Sequence, residues 1–292
     1  MLILLTILSR ASGPYWNMLR RHLGEKKIHP LTITHVPNLI GHPIGLIALA
    51  ALGLFVIPTD PLFFLCWSGM IIFAAVVSIF SILGLLETKF FTTQVIGSLG
   101  FVSSSVCAAI FLKESLNAWT IFSLGLAVVG VILFSWKREQ GRKLFSFDRG
   151  MVFVILAVLL SGFSSVLYKL ATFHVSSYEA LLTGRFITDL IVWTMVWIIV
   201  LSSVKKNPGK DLILMLKKNY SWIFTIGVIA TTFIDTMIFY KLSVTTISIL
   251  GTIAFPVMYF ISYFKYKERI TPSMWLGTLC TVSAIIIFIT LK

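Results

Sequence analysis

Charge is what this sequence has least of. Only 12% of its 292 residues are Asp, Glu, Lys or Arg, while 58% are hydrophobic. A soluble globular domain carries about a quarter charged residues. The shortfall excludes an ordinary water-soluble domain and points to an integral membrane protein. Cysteine is scarce as well. Cys66, Cys107 and Cys280 each lie inside an apolar run with no close-spaced partner. That excludes a disulfide framework and a cysteine-built zinc site. Acidic residues number 11 against 24 basic ones, for a formal net charge of +13. The basic residues cluster in short stretches between apolar runs. They read as membrane-surface anchors and not as a nucleic-acid footprint. Chemistry-bearing motifs are missing too. "SGFSS" and "GSLG" fall inside apolar runs and lack the strand–turn–helix setting of a catalytic turn. No catalytic residue, cofactor or metal ligand is assigned, and no enzymatic activity is expected. His35 and His42 share a face with Asn38, and His22 and His29 border a basic stretch. Without carboxylates nearby, these histidines read as helix-packing or interfacial groups.

What is present is a series of apolar runs of spanning length. They fall near 2–19, 36–57, 62–86, 91–112, 116–136, 150–172, 178–201, 220–240, 245–264 and 272–290. A helix needs about 20 mostly apolar residues to cross the hydrocarbon core. These runs do not alternate as barrel strands would, so ten transmembrane helices are predicted. The first run lacks a basic stretch before it and reads as a retained span, not a cleaved signal. Loops after odd-numbered runs hold 18 basic residues, and the remaining loops and the C-terminal end hold 3. By the positive-inside bias the odd loops face the cytoplasm and both chain ends face outside.

The step Lys113–Glu114 recurs as Lys267–Glu268, 154 positions later. At the same offset Thr92 meets Thr246, Gly97 meets Gly251, Phe101 meets Phe255 and Phe134 meets Phe288. Five runs precede the basic stretch 137–149 and five follow it. This divides the chain into a first five-helix repeat over 1–136, a connecting loop over 137–149 and a second repeat over 150–292. Five is odd, so two consecutive repeats enter the membrane from opposite sides. Such inverted repeats are a frequent design of secondary transporters. Glu114 and Glu268 each precede the fifth run of their half, where a carboxylate complements the positive end of a helix. They are read as markers of architecture, outside the solute site.

The stretches "FLKESLNAWTIFSLGLAVVGVILF" and "YKERITPSMWLGTLCTVSAIIIF" carry a resemblance, as do "FPV" at 255–257 and "TGRF" at 183–186. Together with the ten-run layout they resemble the drug/metabolite transporter superfamily, of EamA type. The resemblance implies an all-α membrane protein of ten helices in two inverted five-helix repeats. It also implies a multi-pass protein of a bacterial inner membrane that moves a small organic metabolite, without an ATP-binding part. Departures exist. Asn38 stands where the second half has Arg185, and Val102 where it has Pro256. The family is drawn with both ends in the cytoplasm, opposite to the loop-charge count.

Matched polar faces nominate the solute site. Gln94, Ser98, Phe101 and Ser105 lie on one helix face, and Ser248, Thr252, Phe255 and Tyr259 are their counterparts. Such groups line a cavity for a polar solute or let helices pack closely, and both readings stay open. Trp16 and Tyr168 correspond between the first and sixth runs. They can stack on a solute or anchor at the interface. Intramembrane charge is expensive and calls for a partner or a wet cavity. Asp235 can take a proton, and Arg10 and Lys169 can hold a carboxylate or phosphate. Equally, Asp235 can pair with Arg10 or Lys169 and simply fix the bundle. Arg185 and Asp189, four residues apart, are expected to satisfy each other. The substrate-binding set is therefore Arg10, Trp16, Gln94, Ser98, Tyr168, Lys169, Asp235, Ser248, Thr252 and Tyr259. The partners are the lipid bilayer, a small-molecule solute and, where transport is proton-coupled, protons; exchange stays open beside it. A membrane scaffold without transport, or an enzyme embedded in the membrane, are the alternatives.

Overall fold

A computed structural model describes residues 1–25, 28–87, 96–97, 99–135, 149–204, 208–217, 220–266 and 271–291. It is all helical, with no strand among the described residues. Thirteen α-helical segments are numbered here in chain order. The first half contains α1 (Leu2–Glu25), α2 (Pro30–Ala51), α3 (Pro61–Glu87), α4 (Gly100–Phe111) and α5 (Ala118–Ser135). The second contains α6 (Arg149–Phe173), α7 (Tyr178–Thr188), a π-helical turn (Asp189–Trp193) and α8 (Thr194–Ser203). It continues with α9 (Pro208–Leu216), α10 (Tyr220–Lys241), α11 (Val244–Gly251), α12 (Ala254–Tyr266) and α13 (Pro272–Leu291). Each of the ten apolar runs coincides with helix over at least part of its length.

Five helices are long and apolar enough to cross a membrane: α2, α3, α6, the continuous 178–203 helix and α13. Their outer faces carry large apolar side chains such as Ile47, Leu65, Ile199 and Leu279, all well exposed. An apolar exterior of this extent is compatible with a multi-pass membrane protein.

Several boundaries differ from those the apolar runs predict. The second helix starts at Pro30 and stops at Ala51, about six residues earlier than expected at each end. Its stop is chemical. Gly53 adopts φ +69°, and the Gly53 and Leu54 N–H groups bond to the Ala50 and Leu49 carbonyls at 3.1 and 2.8 Å. This is the Schellman arrangement that ends helices at glycine. The seventh run contains a π turn, and the ninth is broken at Thr252–Ile253 between α11 and α12.

Between helices in lipid, close packing replaces the hydrophobic drive of water. Small residues make that packing here. A Cβ on Gly130 of α5 would stand 2.8 Å from the Gly277 carbonyl of α13. One on Gly162 of α6 would stand 2.8 Å from both the Ser103 carbonyl and the Cys107 sulfur of α4. The buried centre is aromatic. Phe63, Trp67, Tyr168, Trp193 and Trp197 form one cluster with Leu31, Ile71 and Leu201.

Candidate solute cavity and its charged lining

The site is built from α1 upward. Arg10, Gly13, Pro14, Asn17 and Arg20 face a cavity of about 410 Å³. At 3.6 residues per turn these positions occupy an arc of roughly 120°, one continuous face. The opposite walls come from α3, α4, α6, α10 and α11. Val77 and Leu85, Phe101 and Ser104, Val154 and Ser161, Phe239, Ile247 and Ser248 represent them. The volume lies in the range of small-molecule sites.

Arg10 leans over the wall at Phe239, its guanidinium 5.9 Å from the ring centre. Its Nη2 lies 3.6 Å from Asp235 Oδ1, and Ser9 Oγ donates to the same oxygen at 2.8 Å. Asp235 thus sits behind the lining and neutralises Arg10. Farther along α1, Arg20 Nη1 reaches Asn17 Oδ1 at 3.5 Å. Arg20 Nε is buried without a hydrogen-bond partner among the described residues.

The serines of the opposite wall are largely spent on one another. Ser161 Oγ donates to the Val158 carbonyl at 2.7 Å and Ser165 Oγ to the Ser161 carbonyl at 3.0 Å. Ser104 and Ser165 hydroxyls meet at 3.2 Å. These are the back-bonds typical of Ser in helices. They leave the α4 and α6 walls with oxygen acceptors but few free donors.

Behind Phe239 lies a second polar group, shielded from the cavity. Tyr168 packs on Phe239 with ring centres 4.0 Å apart. Its hydroxyl accepts from Arg185 Nη1 at 2.7 Å, and Arg185 also donates to Thr236 Oγ1 at 2.7 Å and the Thr232 carbonyl at 3.2 Å. The other side of the guanidinium faces Asp189, Nε to Oδ2 being 3.5 Å. Asp189 Oδ1 accepts from Trp67 Nε1 at 2.7 Å. The pairing of Arg185 with Asp189 follows from their four-residue spacing. Their place at the opening of the π turn does not. His42 borders this group, its Nε2 being 3.8 Å from Asp189 Oδ2. His35 Nε2 lies 3.1 Å from Thr194 Oγ1, and its ring stacks with Trp193.

Of the residues nominated from sequence, Arg10 and Ser248 line the cavity, as does Phe101. Asp235 is one contact removed. Trp16 instead fills a notch at Gly227 of α10, where a Cβ would collide with the indole, and its Nε1 donates to Ser12 Oγ at 3.1 Å. Tyr168 belongs to the Arg185 group. Lys169 Nζ donates to the Phe239 carbonyl at 2.7 Å and lies 5.6 Å from the Phe173 ring centre, with no carboxylate at ion-pair distance among the described residues. Thr252 is buried and bonds to the Ile249 carbonyl at 2.8 Å. Gln94, Ser98 and the Tyr259 side chain lie outside the described residues, as do Glu268 and most of the 137–149 loop.

Asn17, Arg20, Phe239 and Ser104 line the cavity without having been nominated. Arg20 was read as loop because apolar character fades after Leu19, yet α1 continues to Glu25. The signal that could have found it is the spacing of Arg10, Asn17 and Arg20, which shares one face with Gly13.

No family model matches the chain, and no curated protein matches it. A solved structure described only as "Crystal structure of protein" is similar in fold, with a TM-score of 0.68. The match covers 99% of this chain and 95% of that one at 12% identity. The likeness extends over the whole chain, and at this identity it shows the fold alone.

Proposed function

We propose that this protein is a secondary transporter that moves a small organic metabolite by alternating access. The observation that carries the reading is the cavity. It lies where α1, α3 and α4 of the first half meet α6, α10 and α11 of the second. Two halves closed around a central site are the arrangement that rocking transport requires.

The pattern of helix contacts supports a division into two inverted repeats. The first half's α3 packs on α6, and its counterpart α10 packs on α1. Likewise α1 meets α3 as α6 meets α10, and α4 meets α6 as α11 and α12 meet α1. Helices exchanged with one another also touch across the halves: α5 with α13, α4 with α11, and α2 with α7. A pseudo-twofold axis relating the two halves would produce this correspondence, and five spans per half would lay that axis in the membrane plane. The sequence resemblance to EamA-type drug/metabolite transporters agrees with it, and the reading carries with it a location in a bacterial inner membrane.

The test is transport by the purified chain in proteoliposomes, using preloaded vesicles and a panel of labelled small organic acids, amines and neutral metabolites. Saturable counterflow of at least one solute is expected. Absence of counterflow, together with no solute-dependent thermal stabilisation in detergent, would favour a scaffold. Asp235→Asn separates the coupling modes. Loss of pH dependence with uptake retained assigns a proton to Asp235, and an unchanged pH profile rules out proton coupling through that residue.

A further inference from the structure

The electrostatics of the cavity carry the transport reading further, to a class of solute. Two cations face the cavity, Arg10 and Arg20, and no carboxylate among the described residues lines it. Arg10 is compensated by Asp235 at 3.6 Å. Among the described residues Arg20 meets only the neutral Asn17 amide, at 3.5 Å, and its Nε has no hydrogen-bond partner. Arg21, next in sequence, pairs with Glu25 at 3.2 Å and leaves Arg20 alone. The described lining therefore carries one uncompensated positive charge. A guanidinium stays protonated at any ordinary pH and presents a planar fork that fits a carboxylate. Within a largely apolar enclosure such a charge is costly until an anion meets it.

The remaining wall decides what else the solute is. Phe101, Phe239, Val154, Val158 and Ile247 offer apolar and aromatic surface. The Ser161 and Ser165 hydroxyls donate to backbone carbonyls, so a sugar-like polyol finds few free donors there. A cation would face two guanidiniums. Resting on the transport reading above, we infer that the cavity binds organic monoanions: an apolar body carrying one carboxylate, the carboxylate held by Arg20 beside Asn17 and the body lying against Phe101 and Phe239.

Matched probes that differ in charge alone test this on the full-length protein in detergent. Indole-3-acetate, indole-3-acetamide and tryptamine share one skeleton; hexanoate, hexanamide and hexylamine form an aliphatic series. Binding is measured by titration calorimetry and by the shift in melting temperature. The anion of at least one series is expected to bind about tenfold or more tightly than its amide and amine, the scale of a charged hydrogen bond. Arg20→Gln should bring the anion down to the level of the amide, whereas Arg20→Lys keeps part of the preference. Equal binding of the three charge forms overturns the proposal. So does anion preference that survives Arg20→Gln, or binding of neither series. Should Arg20→Gln not fold, loss of anion preference in Arg20→Lys to the amide level counts against it, since the charge is kept. Transport is read separately in proteoliposomes. Anions that bind but do not cross would refute transport and leave the anion site standing. Movement of the amines without anion binding would do the reverse.

Discussion

Arg10 and Asp235 meet across 3.6 Å from the two halves of the chain, with Ser9 donating to the same carboxylate oxygen at 2.8 Å. One guanidinium thus serves as a wall of the cavity while its countercharge stays behind the wall. The pair also ties α1 to α10, since each helix supplies one of the two charges.

That pair makes a stability prediction. Asp235→Asn keeps an acceptor for Ser9 but leaves Arg10 without a countercharge. The side chains are 28% and 25% exposed, so the pair is neither dry nor fully screened. A loss of roughly 1–2 kcal/mol is expected, below the cost of breaking a fully buried pair. Arg10→Gln combined with Asp235→Asn should recover part of it. Denaturation in detergent of both single variants and the double variant measures the coupling. Strictly additive losses would show that the two residues do not interact.

Arg185 is held differently. It donates to Tyr168, Thr236 and the Thr232 carbonyl while facing Asp189, with its side chain only 15% exposed. Lysine brings one compact ammonium and cannot serve both sides of that arrangement. Arg185→Lys should cost roughly 2–4 kcal/mol, chiefly because Asp189 and the Tyr168 hydroxyl lose well-placed donors. Melting temperatures should therefore fall far more for Arg185→Lys than for Arg20→Lys, where the guanidinium faces an open cavity. Equal falls would refute the difference in environment.

The contrast explains how far the sequence could be read. The ten apolar runs are legible because the hydrocarbon core demands long apolar helices, and each coincides with helix. The stop of α2 was missed because hydropathy continues past Gly53, whereas the backbone there turns left-handed. The break of the ninth run at Thr252–Ile253 has no hydropathic signature, since apolar residues flank it on both sides. For the site, periodicity tells which residues share a face but not what that face meets. Arg10 faces the cavity, while Tyr168 and Lys169, also set within an apolar run, turn to Arg185 and to the Phe239 carbonyl. Those partners lie 17 and 70 positions away, beyond the reach of local spacing.

Glu114 is the clearest case of a partner that sequence misassigns. Its expected place is at the start of α5, yet Asn117 caps that helix, accepting from the Thr120 N–H at 2.8 Å. The Glu114 carboxylate instead accepts from the Val244 and Thr245 N–H groups of α11, at 2.8 and 3.0 Å. Lys113, at φ +53°, turns the chain just before it. The first half thereby caps a helix of the second, and its charge meets the positive end of that helix. Glu114→Ala should cost about 1–2 kcal/mol, with a smaller loss for Glu114→Gln, which keeps one acceptor. Hydrogen exchange localises the effect: the Val244 and Thr245 amides should exchange faster in Glu114→Ala while those of α5 do not. Faster exchange confined to α5 would restore the local assignment.

Asp60 gives the pH dependence of the loop between α2 and α3. Its Oδ1 accepts from the Leu62 N–H at 2.9 Å, capping α3, and its Oδ2 accepts from His174 Nδ1 at 2.8 Å. The backbone bond first and the histidine bond second hold the carboxyl below its ordinary range. A depressed folded-state value means that the unfolded chain takes up the proton more readily. The stabilisation is therefore complete above the ordinary aspartate value of about 4 and is lost as pH falls from there through the folded value. Wild-type melting temperature should decline over that acid window, and Asp60→Asn should decline less while melting lower at neutral pH. Both changes should be small, because the carboxylate is exposed to solvent and screened. Melting curves taken from neutral pH down to about pH 3, well below the ordinary aspartate value, decide it. Identical acid slopes for the two proteins would show that the contact of Asp60 with α3 and His174 does not form in solution.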